Sequence, residues 1–98
     1  MTNYSRGANF ERRVKKHMEG KGWSCVRSAG SHSPADLTCH LGVKGVCIVL
    51  LIQCQLDKNF SASKKRELVE LAKKINAYPL LCWRDDKNKI QFEYAEVK

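Results

Sequence analysis

The chain has 98 residues, 43% of them hydrophobic and 29% charged, which predicts a single small globular domain over residues 1–98 rather than a disordered protein. No apolar stretch approaches the roughly 20 residues that cross a bilayer, and the longest, Val46 to Ile52, is strand-sized. Eighteen Lys and Arg against ten Asp and Glu give a formal charge of +8, gathered at Arg12, Arg13, Lys15 and Lys16, at Lys64, Lys65 and Arg66, and at Lys73 and Lys74, so the expected partner is a polyanion, nucleic acid in particular.

Met1 to Arg6 holds no apolar signal region, and a cytoplasmic location is expected. Asn9 to about Lys21 reads as a helix: Phe10, Val14 and Met18 form a stripe at i, i+4, i+8, Ser5 or Asn9 is a candidate cap, and Gly20 and Gly22 mark the end. Glu11 sits at the border of that stripe, where a carboxylate can face an inner cleft. Trp23 to Arg27 is a short strand, and Ser28 to Pro34 is a loop by its Ser, Gly and Pro content.

Asp36 opens the next strand, Leu37 to Leu41, and Gly42-Val43-Lys44-Gly45 turns the chain into Val46–Gln55. The unbroken aliphatic run predicts a central strand buried on both faces. Val49, Leu51, Gln53 and Gln55 share one face of it, and two glutamines there need partners. Ser61 to Asn76 is a second helix, with Leu68, Leu71, Ala72 and Ile75 at helical spacing. Tyr78 to Trp83 reads as a strand, Asp85 to Lys89 as a turn, and Ile90, Phe92 and Tyr94, alternating with Gln91 and Glu93, as a last, half-exposed strand. The order α-β-β-β-α-β-β predicts a mixed sheet flanked by helices, an α/β or α+β domain.

Five cysteines, odd in number and never spaced C-x-x-C, argue against a disulfide framework or a zinc knuckle and read as small buried hydrophobes. His17, His32 and His40 also lack zinc spacing.

The residues that carry chemistry are Glu11, the run Ser31-His32-Ser33-Pro34-Ala35-Asp36, and Gln53-Cys54-Gln55. Phosphodiester hydrolysis with a hard metal needs a carboxylate, further oxygen ligands within reach, and a group that orients water. A hairpin built on the Gly42–Gly45 turn lays Asp36 beside Gln53, and Glu11 closes the site from the first helix. The plainer alternatives are Asp36 as a turn cap, Glu11 paired with Lys15 at i+4, and Ser31 as a loop former.

Four motifs together are similar to the archaeal-type Holliday junction resolvases of the PD-(D/E)XK nuclease superfamily: Arg6-Gly7-Ala8-Asn9-Phe10-Glu11-Arg12, Val26-Arg27-Ser28-Ala29-Gly30-Ser31, Pro34-Ala35-Asp36-Leu37, and Ile52-Gln53-Cys54-Gln55. The resemblance covers nearly the whole chain, and a virus or phage source would place the protein in a host cytoplasm. The resemblance implies a restriction-endonuclease-like core with a central mixed five-stranded sheet, and a homodimer that binds four-way junction DNA and nicks two strands symmetrically with Mg²⁺ or Mn²⁺. It implies Glu11, Asp36, Gln53 and the Cys54 backbone carbonyl as metal ligands, and Glu11, Ser31, Asp36, Gln53 and Gln55 as the catalytic set. Arg6, Gly7, Arg12, Arg13, Lys16, Arg27, Lys64 and Lys65 would meet DNA.

Two positions depart from the family pattern. Gln53 keeps an oxygen but loses the charge of an acidic ligand, and Gln55 stands where the family has lysine. An amide neither carries positive charge nor orients hydroxide as an ammonium does, a loss of roughly 10²–10⁴ in rate for such a group. A natural variant of weak activity, an introduced Lys→Gln change, a non-catalytic junction-binding protein, and another nuclease of the superfamily acting on linear duplex all remain open.

Overall fold

The computed structural model describes residues 3–28 and 33–96. Helix α1 (Asn3–Glu19) leads to strands β1 (Ser24–Arg27), β2 (Leu37–Val43) and β3 (Val46–Cys54), then helix α2 (Ala62–Ile75) and strands β4 (Tyr78–Arg84) and β5 (Ile90–Tyr94). The expected element order holds throughout. The five strands lie in the order β1-β2-β3-β4-β5, with β3 and β4 parallel and the other neighbours antiparallel, so the sheet is mixed as expected. A parallel pair needs a crossover, and α2 is that connection.

Helix α1 begins well before its apolar stripe, so Ser5 and Asn9 lie inside it and are not caps. No proline interrupts Asn3–Ala8, and Gly7 within a helix costs only about 1 kcal/mol, which the packing of Ala8 and Phe10 offsets. Helix α2 is bounded by sequence-coded devices. Ser61 Oγ accepts the Lys64 N–H at 3.2 Å, and Asn76 adopts the left-handed conformation with φ 59°, its N–H turned to the Ala72 and Lys73 carbonyls. Between β2 and β3, Lys44 and Gly45 have φ values of 50° and 81°, the positive pair that a two-residue hairpin turn requires.

The sheet is covered on both faces. On one side Phe10, Val14 and Met18 of α1 meet Leu37, Cys39, Ile52, Cys54 and Cys82. On the other, Leu68 and Ala72 of α2 meet Ala35, Leu51, Leu81 and Ala95. The alternation of β3 therefore sends Ile52 and Cys54 toward α1 and Leu51 toward α2.

Strand β3 is central, but only its second half is buried on both faces. Val46 is 64% exposed and Cys47 is also exposed, whereas Leu51, Ile52 and Cys54 are buried. The first half borders an open groove of about 430 Å³ between the β3 and β4 starts and the end of α2. An aliphatic run reports affinity for a sheet interior, while burial depends on how far the helix reaches over it.

The cysteines also differ from expectation. Cys25 of β1 and Cys39 of β2 are direct cross-strand partners, 4.1 Å apart at Cα, and are joined by a disulfide. Cys54 and Cys82 are buried register partners in β3 and β4. The hydrogen bond between their thiols, with burial, pushes the Cys54 thiol far up, so it stays protonated. Reduction of the Cys25–Cys39 bond, which closes a loop with a sequence separation of 14, is expected to cost about 3 kcal/mol, read as a lower urea midpoint in reductant that a Cys25→Ser/Cys39→Ser protein does not show. Among the described residues no helix is long and apolar enough to cross a membrane.

Candidate active site

Asp36 stands just ahead of β2, and its backbone continues the ladder. Its N–H donates to the Ile52 carbonyl at 2.8 Å, and its own carbonyl accepts the Ser28 N–H at 2.8 Å. The approach is set by Ser33, whose hydroxyl accepts the Ala35 N–H at 3.2 Å, and by the fully buried Ala35. The side chain is pinned as well: Asp36 Oδ2 accepts the Cys54 N–H at 2.8 Å, which ties the carboxylate to the end of β3 and leaves Oδ1 uncommitted to that bond. Burial pushes the Asp36 carboxyl above the usual carboxylate range, opposed by the Cys54 amide and by the charges of Lys64 and Arg27.

Glu11 enters from α1. Arg27 Nε donates to Glu11 Oε1 at 3.1 Å, and both side chains are mostly buried. Lys15 pairs with Glu19 instead, at 4.0 Å, so the simple surface pairing of Glu11 with Lys15 is not formed. The Glu11 carboxyl is raised first by burial and next by the charge of Asp36, against the pull of Arg27 and Arg12. Two carboxylates from separate elements thus lie close enough to repel one another.

Gln53 of β3 is half-buried, and among the described residues its amide has no hydrogen bond. Gln55, just past the strand, is held at both ends: Nε2 donates to the Asn59 carbonyl at 3.0 Å, and Oε1 accepts from Lys64 Nζ at 3.4 Å. Of the two glutamines that needed partners, one has them and the other is free to turn. Ser31 lies outside the described residues.

Of the residues assigned to DNA, Arg6, Arg12, Arg13 and Lys16 are exposed along α1, Gly7 and Lys65 are half-exposed, and Lys64 is exposed. Three of the arginines are engaged within the protein. Arg12 donates to the Asn9 side-chain oxygen at 3.2 Å, Arg13 donates to the side chain and carbonyl of Asn88, and Arg27 is turned inward onto Glu11. Arg84, at the end of β4, is a residue the sequence reading missed: it lines a cavity of about 340 Å³ with Arg6 and Arg13. No local pattern marks it, because the strands and α1 come together there only in three dimensions.

Among the described residues no three His, Cys, Asp or Glu gather as a ready-made metal cage. What the site offers is two carboxylates lifted by burial, Glu11 also by the charge of Asp36, with a free amide oxygen on the neighbouring strand. That donor set fits a hard divalent cation, which relieves both carboxylates and takes few protein ligands when it keeps its own water.

The family model described as archaeal Holliday junction resolvase (Hjc) matches residues 2–97. The chain belongs to the archaeal Holliday junction resolvase family. Among solved structures, Hjc of Archaeoglobus fulgidus, described as a Holliday junction resolvase from an archaeal hyperthermophile, matches with a TM-score of 0.74 and 21% identity over 95% of this chain and 78% of that one. At that identity the match speaks for the fold, and the two-helix, five-strand arrangement agrees with it.

Proposed function

We propose that this protein resolves four-way DNA junctions by metal-dependent phosphodiester hydrolysis, acting as a homodimer. The observation that carries the reading is the tethering of Asp36 Oδ2 to the Cys54 N–H, with Glu11 near enough to repel Asp36, in a member of a resolvase family.

Asp36, Glu11, Gln53 and the Cys54 carbonyl would hold Mg²⁺ or Mn²⁺, which when bound polarises a phosphate oxygen and makes a hydroxide available near neutral pH. The chain's own part is preparation of the site. The Cys54 amide fixes the plane of the Asp36 carboxylate, and Arg27 keeps Glu11 turned into the site. Gln53 brings an oxygen without charge, so the cation is held more weakly than by a third carboxylate. Arg6, Arg12, Lys16, Lys65 and Arg84 lie on exposed or half-exposed surface suited to DNA phosphates, and Ser31 is assigned to the catalytic set by the resemblance. Gln55 is itself neutral, so the enzyme is weaker than a lysine-bearing site to the extent that no other cation replaces that charge.

The homodimer rests on symmetry and on exposed apolar surface. A junction has two-fold symmetry, and two matched cuts need two sites. Val46, Tyr78, Tyr94 and Ile75 are 64%, 54%, 51% and 46% exposed, an apolar group on the end of the molecule away from Gln53.

A labelled four-way junction incubated with Mg²⁺ or Mn²⁺, with linear duplex as competitor and a Gln55→Lys protein alongside, tests the proposal. Paired nicks in opposing strands, preferred over duplex, are expected; preference for linear duplex would point to another nuclease role, and a junction left intact by both proteins rules out the enzyme. The neutral Gln55 is the one observation favouring a second reading, a junction-binding protein without catalysis. That reading predicts binding whose log affinity falls with log salt and no nicking even after lysine is restored.

A further inference from the structure

We infer that Lys64, in the first turn of α2, supplies the ammonium that Gln55 lacks and is a catalytic residue of this site. The inference rests on the proposed junction-cutting activity and names how its charge is provided.

The geometry begins with Gln55. Donation from Nε2 to the Asn59 carbonyl turns Oε1 the other way, and Lys64 Nζ meets that oxygen at 3.4 Å. A lysine side chain is about one covalent bond longer than a glutamine, so the Lys64 ammonium, 3.4 Å from Gln55 Oε1, stands near but farther out than the ammonium of a lysine at 55 would reach. The pair brings a positive charge to the neighbourhood where the family pattern has one.

The charge of Lys64 is also felt at Asp36, where after the Cys54 amide it opposes the larger effect of burial. Lys64 is exposed, and among the described residues no carboxylate pairs with it. Its positive charge is open to an incoming phosphodiester. Its position is also held: the Lys64 N–H is the one that Ser61 caps.

The local sequence runs against helix electrostatics in a way this role accounts for. The first turn of α2 has no acid, and it carries Lys64 at the positive end of the helix dipole. An ammonium at that end is disfavoured in the free protein and becomes favourable once an anion lies against it, which a phosphodiester in the site would do.

A double-mutant cycle on positions 55 and 64 tests the assignment, read as single-turnover nicking at saturating protein with junction affinity measured separately. Lys64→Ala is expected to slow nicking by about 10²-fold while weakening junction binding by no more than about threefold. Gln55→Lys is expected to restore most of the rate in the Lys64→Ala protein, yet to change it by less than about tenfold in the parent, because the two charges serve one purpose. That rescue is the outcome a merely structural or DNA-anchoring lysine would not give. Parental nicking by Lys64→Ala, a loss that Gln55→Lys does not restore, or a silent parent whose Gln55→Lys form nicks would each overturn the assignment and leave the resolvase reading standing. A junction untouched by both the parent and Gln55→Lys overturns the two together.

Discussion

Asp36→Asn is expected to lower junction nicking by on the order of 10³-fold and to leave junction affinity within about threefold. The asparagine keeps a side-chain oxygen for the Cys54 N–H, so the end of β3 stays where it is and the loss is one of charge. Junction affinity measured by gel shift in Ca²⁺ and nicking measured in Mg²⁺ separate the two effects. A variant that nicks at the parental rate would remove Asp36 from the mechanism.

The same substitution carries a stability signature. The Asp36 carboxyl is raised by burial, so its ionised form is disfavoured in the folded protein. A carboxyl raised above its unfolded value stabilises the fold fully below the ordinary carboxylate range and loses that contribution as pH rises through the folded value. At neutral pH the metal-free protein bears this penalty, and Glu11 adds to it in the same direction. Asp36→Asn is therefore expected to raise the thermal midpoint at pH 7, with the gain shrinking as the pH is lowered through the carboxylate range. Mg²⁺ should stabilise the parent and not the variant, since only a form that binds the ion gains from it.

For the proposed homodimer, Val46→Asp and Tyr78→Arg are each expected to raise the dissociation constant by about 10²-fold or more, seen as monomer in micromolar sedimentation. Because β3 and β4 run parallel and β5 returns against β4, the start of β3, the start of β4 and the end of β5 meet at one end of the sheet. Val46, Tyr78 and Tyr94 lie there, with Ile75 at the end of α2. Asp36 and Gln53 belong to the other end of β3, so these changes spare the site's own contacts. Nicks by the monomeric variants are expected singly and not in pairs. A parent that sediments as a monomer would contradict the dimer.

Much of the fold was legible because periodicity is a local property. The stripe Phe10, Val14, Met18 and the alternation of Ile90, Phe92 and Tyr94 identify elements whatever surrounds them. The start of α1 was hidden because Asn3–Ala8 has no apolar stripe. The exposed start of β3 was hidden because covering it depends on where α2 ends. The Cys25–Cys39 bond depends on register between β1 and β2, which spacing alone does not reveal.

The site divides in the same way. Glu11, Asp36 and Gln53 can be proposed from the sequence because their motifs are short and contiguous. The resemblance gives Arg27 to DNA, and the fold turns it onto Glu11, 16 residues away. Lys64 was read the same way, and its contact with Gln55 exists only once the segment between β3 and α2 turns back on itself.

The central claim is that Asp36, Glu11 and Gln53 form one cradle for a divalent cation. Anomalous diffraction from crystals soaked in Mn²⁺ measures this directly. A single strong peak within about 2.2 Å of an Asp36 carboxylate oxygen, with Glu11 or Gln53 turned to it, is the predicted result. Manganese bound elsewhere, with that position empty at a concentration supporting nicking, would contradict it.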